Sequence, residues 1–227
     1  MDLVLRVFSS ASGISKIVYF WKLFCYSGVC LEFDGDVLRI GRELSGLDKL
    51  VLKFIQRLED RGIEYVIVSG YVAVLTGRSR GTEDIDVILE EMERDKIEKF
   101  AEDLLASGYW CLNSEVSEIY DMLCEGLAPR FAEEGRAIPN FEINFPSDEL
   151  EITALDERLK ARINSEIIYI SPLELQIAYK LYLGSEKDFE DALHLYRLFK
   201  EDLDARRLED FAKELKVRGD LDELRKA

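Results

Sequence analysis

The sequence predicts a mixed α/β domain followed by a helical C-terminal segment. Between residues 45 and 170, apolar runs typical of strands alternate with apolar residues at helical spacing. After residue 171 only helical patterns remain, at about 172–183, 186–200, 205–216 and 220–226. The 227 residues, 48% of them hydrophobic, suffice for one sizeable core or for a core with a small helical appendage. We therefore divide the chain into an N-terminal extension (1–44), an α/β domain (45–170) and a helical segment (171–227).

The N-terminal extension contains one pattern that predicts secondary structure. Val29–Phe33 and Val37–Ile40 are short β-rich runs separated by Asp-Gly-Asp, which predicts a β-hairpin. The first 25 residues match no pattern; an added strand and helix and a poorly ordered extension both remain open. The α/β domain then begins with a capping-box-like start, Ser45 and Asp48, and helical spacing that Gly62 ends.

The rest of the α/β domain alternates strands and helices. The predicted strands are 63–69, 84–89, 109–112 and 140–145. Residues 71–75 form a short apolar helix or turn, and residues 92–107 a longer amphipathic helix. Residues 114–135 are mixed and receive no assignment. The result is a sheet flanked by helices, with Ser171-Pro172 opening the helical segment.

Charge is unevenly distributed and limits the possible partners. Residues 61–195 hold 13 basic and 29 acidic residues, which accounts for the whole net charge of −16. Such a surface repels a nucleic-acid backbone and suits divalent cations, although an ordinary solvated acidic surface explains most of these charges. The single histidine, His194, excludes a multi-histidine metal site, and we expect a packing or surface role for it.

The chain shows no signal for export or for a membrane. The aromatic-rich segment 17–29 is too short to span a bilayer, and the N-terminus lacks a basic start. The cysteines form no C-x-x-C pair and show no zinc-ligand spacing; they are Cys25, Cys30, Cys111 and Cys124. We therefore expect reduced thiols in a cytoplasmic protein without a membrane partner.

Asp84 and Asp86 are the first candidates for chemistry. In a strand, residues i and i+2 point to the same face, so the two carboxylates lie about 7 Å apart. Two such anions gain by sharing a divalent cation, for which Mg²⁺ is the usual choice with oxygen ligands. A lone D-x-D pair also arises by chance in an acidic protein.

The turn at Ser69-Gly70 strengthens this interpretation. It connects a strand to a short helix, so small residues and free backbone N–H groups are expected at a helix N-terminus. A phosphate binds well at such a place, because no side chain blocks it and the helix dipole favours an anion. The alternative is an ordinary turn at the end of a strand, which needs no ligand.

Together these two blocks resemble the signature of the nucleotidyltransferases of the DNA polymerase β superfamily. Val68-Ser-Gly-Tyr-Val-Ala-Val-Leu75 followed by Arg80-Gly-Thr-Glu-Asp-Ile-Asp86 is similar to a small-residue turn, a short helix and then R-x-[ST]-x-D-[IL]-D. Downstream, Leu173–Lys180 and Lys187-Asp-Phe-Glu-Asp191 fit the helix with a lysine and the R-D-x-x-D motif of the AbiEii-type toxins and related small nucleotidyltransferases. The resemblance covers residues 63–89 well and 171–199 loosely.

Two positions depart from the family pattern. The family turn is usually Gly-Gly or Gly-Ser, whereas this chain has Ser69-Gly70, the same small residues in inverted order. Family enzymes place a third carboxylate on a later strand, where the local candidate is Glu142, one methylene longer than the expected aspartate. An ordinary surface glutamate on an amphipathic strand explains Glu142 equally well.

The resemblance implies a function and a set of site residues. The expected reaction moves a nucleoside monophosphate from a nucleoside triphosphate to an acceptor hydroxyl, with Mg²⁺ or Mn²⁺ held by Asp84, Asp86 and Glu142. The nucleotide would contact Ser69, Gly70, Arg80, Thr82 and Lys180, with Arg80 binding phosphate oxygens unless it pairs with an acidic neighbour such as Glu83. Asp188 and Asp191 either anchor the C-terminal helices or join the site.

The sequence leaves both the acceptor and the partner open between several alternatives. The resemblance implies an RNA 3′ end or a protein side chain as the acceptor, with small molecules such as antibiotics as the acceptors of other relatives, and a toxin–antitoxin pair as a setting. A second hypothesis is a catalytically degenerate nucleotidyltransferase-fold module that binds a partner, because the turn and the third carboxylate both depart from the pattern. A third is an unrelated α/β domain with an accidental D-x-D pair.

Overall fold

The structure is a computed structural model, and it describes residues 24–26 and 29–227. The expectation for the first 25 residues therefore falls almost entirely outside the described residues. Ten strands form one sheet; they are β1 (Phe24–Tyr26), β2 (Val29–Asp34), β3 (Val37–Gly41), β4 (Tyr65–Val68), β5 (Asp84–Leu89), β6 (Tyr109–Cys111), β7 (Arg130–Glu133), β8 (Asn140–Asn144), β9 (Leu159–Ile163) and β10 (Glu166–Ile170). The strand order is β1-β2-β3-β9-β10-β4-β5-β8-β7-β6.

Helices lie on the sheet and form the C-terminal segment. They are α1 (Gly46–Glu59), α2 (Gly70–Leu75), α3 (Arg94–Ala106), α4 (Ile119–Cys124), α5 (Glu149–Asp156), α6 (Leu173–Leu183), α7 (Glu186–Phe199), α8 (Ala205–Glu214) and α9 (Arg218–Leu224), with a 3-10 turn at Val116–Glu118. The pairing is mixed: β5 runs antiparallel to β4 and parallel to β8. The predicted α/β class, with a mixed sheet and a helical C-terminal segment, is confirmed.

Most predicted elements are present. The hairpin forms as β2 and β3, and β3 continues the sheet by pairing in parallel with β9. The capping box also forms: the Asp48 backbone N–H donates to Ser45 Oγ, and the Ser45 N–H donates to the Asp48 carboxylate. Residues 149–156 and 159–163 received no assignment from the sequence, yet they form α5 and β9. The division of the chain into three segments remains a prediction.

Alternation along the strands separates an apolar face of the sheet from the face that carries the aspartates. Ile85, Val87 and Phe141 are fully buried, and Phe141 stacks on Phe54 of α1 with ring centroids 3.8 Å apart. Asp84, Asp86 and Glu142 alternate with these residues and so point to the opposite face. On that second face, Val68 and Ile88 line a cleft together with residues of α5 and α6.

Two expectations about cysteines and membranes can be compared with the structure. Cys30 is disulfide-bonded, so the expectation of four reduced thiols is wrong for this residue. The sequence interpretation considered only C-x-x-C spacing, whereas antiparallel pairing of β1 with β2 places Cys25 opposite Cys30. Among the helices of the described chain, none is long and apolar enough to cross a membrane.

Candidate functional site

Three neighbouring central strands bring the predicted carboxylates together. In the strand register, Asp86 of β5 lies opposite Val68 of β4 on one side and opposite Glu142 of β8 on the other. Asp84 lies two residues before Asp86 and opposite Asn140. Because residues in register share a face, Asp84, Asp86 and Glu142 form one acidic patch on the sheet.

The electrostatics of Asp86 show how close these groups are. Burial raises the pKa of its carboxyl to about 6, and the negative charges of Asp84 and Glu142 add to the rise. The Ser69 hydroxyl, which hydrogen-bonds the carboxylate, and the Lys180 ammonium act in the opposite direction. A positive charge added beside Asp86 would therefore stabilise the ionised form of its carboxyl.

Glu142 has a positive partner of its own. Arg130 of β7 lies opposite it in the register, and the Arg130 Nη2 is 2.7 Å from Glu142 Oε1. Within the described residues, no group of three or more His, Cys, Asp or Glu side chains is placed to hold a metal ion. The donor chemistry of Asp84 and Asp86 suits Mg²⁺, which commonly binds one or two protein carboxylates and completes its shell with phosphate oxygens and water. The two aspartates therefore fit a divalent ion, while Glu142 is occupied by Arg130.

Ser69 occupies a backbone conformation that favours glycine. Its φ of 61° and ψ of −133° form the sharp turn between β4 and α2. The side-chain amide of Gln176 in α6 holds this turn from both sides: the Ser69 N–H donates to Gln176 Oε1 (3.1 Å), and Gln176 Nε2 donates to the Ser69 carbonyl (2.9 Å). The Ser69 N–H that the sequence assigned to a phosphate thus bonds to Gln176 instead.

Lys180 reaches the same turn from one helical turn further along α6. Its side chain is almost fully buried, and its Nζ donates to Ser69 Oγ at 3.3 Å. The Ser69 hydroxyl in turn lowers the pKa of the Asp86 carboxyl as a hydrogen-bond partner, so the ammonium, the hydroxyl and the carboxylate are neighbours. The resemblance-based placement of Lys180 at the site agrees with this arrangement, although its role toward a nucleotide is a proposal.

Gly70, Arg80 and Thr82 also meet at this turn. A β-carbon on Gly70 would lie 2.9 Å from Arg80 Nη2 and 3.1 Å from Thr82 Oγ1, so only glycine leaves the guanidinium in its present place. The Thr82 hydroxyl donates to the Asp84 carbonyl at 2.9 Å, which fixes the loop that enters β5. The eight residues expected to bind metal or nucleotide therefore lie around the Ser69 turn and on the neighbouring strands β5 and β8.

Asp191 of α7 is the centre of a buried charge network that the sequence alone did not assign. Its carboxylate is fully buried and pairs with Arg78 through one oxygen and with Arg80 through the other. Lys180 Nζ lies 3.4 Å from Asp191 and 2.6 Å from Asp188. Arg80 therefore pairs with Asp191 and not with Glu83, and the aspartates of the downstream motif anchor α7 to the site.

Some residues that contribute to the site were not identified from the sequence. Gln176 was assigned only to a helix and Arg130 lay in the unassigned region, whereas Asp191 was expected either to anchor the C-terminal helices or to join the site. A signal for Gln176 was present: it is a polar residue among apolar neighbours in α6, four residues before Lys180 and hence on its face. His194 has the expected packing role, with its Nε2 3.3 Å from Thr76 Oγ1 and its pKa lowered mainly by burial.

The fold is that of the nucleotidyltransferases. ANT(2'')-Ia, an antibiotic-resistance factor, matches with a TM-score of 0.50 and 17% identity over 77% of this chain and 94% of its own. A second structure of ANT(2'')-Ia, in complex with adenylyl-2''-tobramycin, has the same TM-score and 16% identity over 77% of this chain and 99% of its own. These likenesses define the fold.

One further solved structure is similar. It is an antigenic nucleotidyltransferase-like protein from Paracoccidioides brasiliensis, with a TM-score of 0.48 and 20% identity over 79% of this chain and 91% of its own. No protein-family model matches the chain, and no curated protein matches its sequence. The narrower resemblance to the AbiEii-type branch remains a prediction.

Proposed function

We propose that this protein is a nucleotidyltransferase that moves a nucleoside monophosphate from a nucleoside triphosphate to an acceptor hydroxyl. The observation that carries the proposal is the position of Asp86. It lies between Asp84 and Glu142 on one side and the Ser69 turn with Lys180 on the other. The proposal is supported by the carboxylates of Asp84 and Asp86, by the Lys180 ammonium near Asp86, and by a fold shared with ANT(2'')-Ia.

Each residue of the site has a separate role in this proposal. Asp84 and Asp86 would hold Mg²⁺ or Mn²⁺, which when bound neutralises phosphate charge and lowers the pKa of the acceptor hydroxyl. Lys180 and Arg80 would bind phosphate oxygens, with Gly70 and Thr82 keeping the guanidinium close to the turn. Gln176 holds the Ser69 backbone in place, so the Ser69 hydroxyl stays aligned between Lys180 and Asp86.

The proposal is tested by transfer of label. Each α-labelled nucleoside triphosphate is incubated with Mg²⁺ or Mn²⁺ and with total RNA, a protein lysate, small amino alcohols or the protein alone. Asp86→Asn should reduce transfer at least about 100-fold, because a central ligand charge is lost. The exposed Asp210→Asn in α8 is the matched control and should match wild type. Equal transfer by wild type and Asp86→Asn contradicts the assignment.

A second candidate is a non-catalytic module that retains the fold and binds a partner. The Arg130–Glu142 ion pair favours it, because that guanidinium occupies the carboxylate that the resemblance gives to a metal. Melting temperature measured with Mg²⁺ or Mn²⁺ and each triphosphate separates the two candidates. A rise that Asp86→Asn abolishes supports the enzyme, whereas no rise with any nucleotide supports the module. An antitoxin partner remains a prediction that follows only from the resemblance.

A further inference from the structure

Arg130 begins strand β7 on the same face of the sheet as the candidate metal ligands. It lies opposite Glu142 in the register, and Glu142 lies opposite Asp86, so the three residues form one row across β7, β8 and β5. The next residue of β7, Phe131, is fully buried and lies opposite the core residue Phe141. Because successive residues of a strand point to opposite faces, the burial of Phe131 directs the Arg130 side chain to the acidic face.

The backbone of Arg130 is held by its neighbours. Its N–H donates to Asn113 Oδ1 at 2.9 Å, and its carbonyl accepts from the Leu112 N–H at 2.8 Å. Asn113 is itself fixed, because its Nδ2 donates to the Ala128 carbonyl at 2.9 Å. The base of the arginine side chain therefore has a defined position, while the side chain is half-exposed and accessible to a ligand.

The guanidinium of Arg130 neutralises one carboxylate of the acidic patch. Its Nη2 lies 2.7 Å from Glu142 Oε1, and an arginine side chain stays protonated in proteins. With Glu142 paired, two negative charges remain in the acidic patch, which is the charge that one divalent ion neutralises. Lys180 does not change this balance, because its ammonium already pairs with Asp188 at 2.6 Å.

A cation fixed beside Glu142 also weakens this carboxylate as a metal ligand. A divalent ion bound to Glu142 would have to displace the guanidinium or share the carboxylate with it, and the two positive charges would repel each other. In the part of the chain that the structure describes, no three His, Cys, Asp or Glu side chains are arranged to hold a metal ion. The set of three carboxylates that the resemblance implies is therefore reduced to Asp84 and Asp86.

Arg130 approaches Asp86 from the side away from the Ser69 turn. Strand β4, which leads into that turn, pairs with one edge of β5, and β8, which carries Glu142, pairs with the other edge. The proposed function places the triphosphate at the turn. The side of Asp86 with Glu142 and Arg130 is then the side that is left for the acceptor hydroxyl.

We propose that the site binds one divalent ion and that Arg130 supplies the second positive charge, which a second metal ion supplies in two-metal sites. The inference rests on the proposed function and deepens it. In the transfer, the acceptor oxygen bonds to the α-phosphorus, the bond from that phosphorus to the bridging oxygen breaks, and pyrophosphate leaves with the electron pair. The hydroxyl proton passes to water, and the Arg130 guanidinium, which cannot accept it, stabilises the negative charge on the acceptor oxygen.

Binding of Mn²⁺ to the full chain without nucleotide, measured by electron paramagnetic resonance, tests the charge replacement. Wild type should bind one ion. Arg130→Gln should bind Mn²⁺ at least about tenfold more tightly, because a carboxylate is freed and a positive charge is lost. Arg130→Gln/Glu142→Gln keeps the net charge of wild type and should return to its affinity. Arg136→Gln removes an exposed arginine from the turn after β7 and should leave the affinity unchanged.

Transfer of labelled nucleotide tests the catalytic role. At a Mn²⁺ concentration that saturates wild type, Arg130→Gln should reduce transfer at least about 100-fold, as when one donor to a developing charge is removed. Transfer should recover at higher Mn²⁺ concentrations, because an ion can then take the place of the guanidinium at Glu142. Arg130→Gln/Glu142→Gln should stay low at every concentration. Added metal would not compensate for the loss of an arginine with a merely structural role.

The two measurements separate this inference from the proposed function. Two ions bound by wild type, or no gain of Mn²⁺ affinity in Arg130→Gln, overturn the charge replacement. Transfer by Arg130→Gln at the wild-type level, or a loss that Mn²⁺ does not restore, overturns the catalytic role of Arg130 and leaves the nucleotidyltransferase in place. Absence of transfer by wild type, together with a gain of Mn²⁺ affinity in Arg130→Gln that depends on Glu142, overturns only the proposed function.

Discussion

Asp86 combines burial with two negative neighbours, and this has a thermodynamic consequence. Its pKa of about 6 in the folded chain is above the value of about 3.9 in an unfolded chain. A carboxyl with a raised pKa stabilises the fold while it is protonated, and that contribution is lost as pH rises through the folded pKa. The site residue thus opposes stability at neutral pH, which is common where a carboxylate is placed for function.

The first prediction follows from this linkage. Between pH 4 and pH 7, without divalent ions, the free energy of unfolding of wild type should fall relative to that of Asp86→Asn. The expected relative change is on the order of 2 kcal/mol, since one pKa unit corresponds to about 1.4 kcal/mol. Urea unfolding at each pH measures it. Parallel pH profiles for the two proteins contradict the raised pKa.

The second prediction concerns the backbone at Ser69. Ser69→Gly and Ser69→Ala both remove the hydroxyl between Lys180 and Asp86, but only glycine adopts a φ of 61° without steric cost. Ser69→Gly should therefore be more stable than Ser69→Ala by about 1 kcal/mol. Urea unfolding compares the two variants directly. Equal free energies of unfolding for the two variants would show that this backbone conformation does not destabilise a residue with a β-carbon.

At the scale of elements, Asp191 is the fully buried charged residue that attaches α7 to the site. The fully buried carboxylate binds cations from the loop before β5 and from α6, so one residue connects three parts of the chain. Removing one partner from a buried set of charges is costly, because the others are left uncompensated. The exposed Glu190 pairs with the same Arg78 and provides an internal comparison.

The third prediction uses that comparison. Asp191→Asn should lower the free energy of unfolding by about 3 kcal/mol, as expected when a buried charge loses its partner. Glu190→Gln should lower it by less than about 1 kcal/mol, because an exposed ion pair contributes little. Both values come from urea unfolding at neutral pH. Similar losses in the two variants would mean that Asp191 is not the anchor of α7.

At the scale of the whole molecule, the helical segment and the sheet depend on each other. Strand β10, which leads into α6, pairs with β4, and the Ser171 N–H donates to the Ile67 carbonyl. Gln176 and Lys180 of α6 then hold the Ser69 turn. The site is therefore assembled only when both parts of the chain are folded.

The fourth prediction is that the α/β part and the C-terminal helices unfold together. Far-ultraviolet circular dichroism reports mainly on the helices, whereas tryptophan fluorescence includes Trp110 in the edge strand β6. The two signals should follow one coincident urea transition. Separate midpoints for the two probes would show that the C-terminal helices form an independent unit.

Local patterns were sufficient for much of this protein. Alternation over Asp84–Leu89 placed two carboxylates on one face of a strand, and the apolar spacing located all four C-terminal helices. These features depend on residues a few positions apart, whose geometry is fixed by the strand and helix periods. Local patterns gave no assignment for α5 and β9. These elements are short and weakly periodic, so their formation depends on tertiary packing.

The sequence by itself determined the fold class, the two aspartates and the cluster of residues around the Ser69-Gly70 turn. Only the tertiary structure decided that Glu142 pairs with Arg130, that Arg80 pairs with Asp191 and that Gln176 occupies the Ser69 N–H. Each of the last two contacts joins residues more than 100 positions apart. Such pairings follow from strand order and helix packing, which bring distant segments together, and no short-range pattern encodes them.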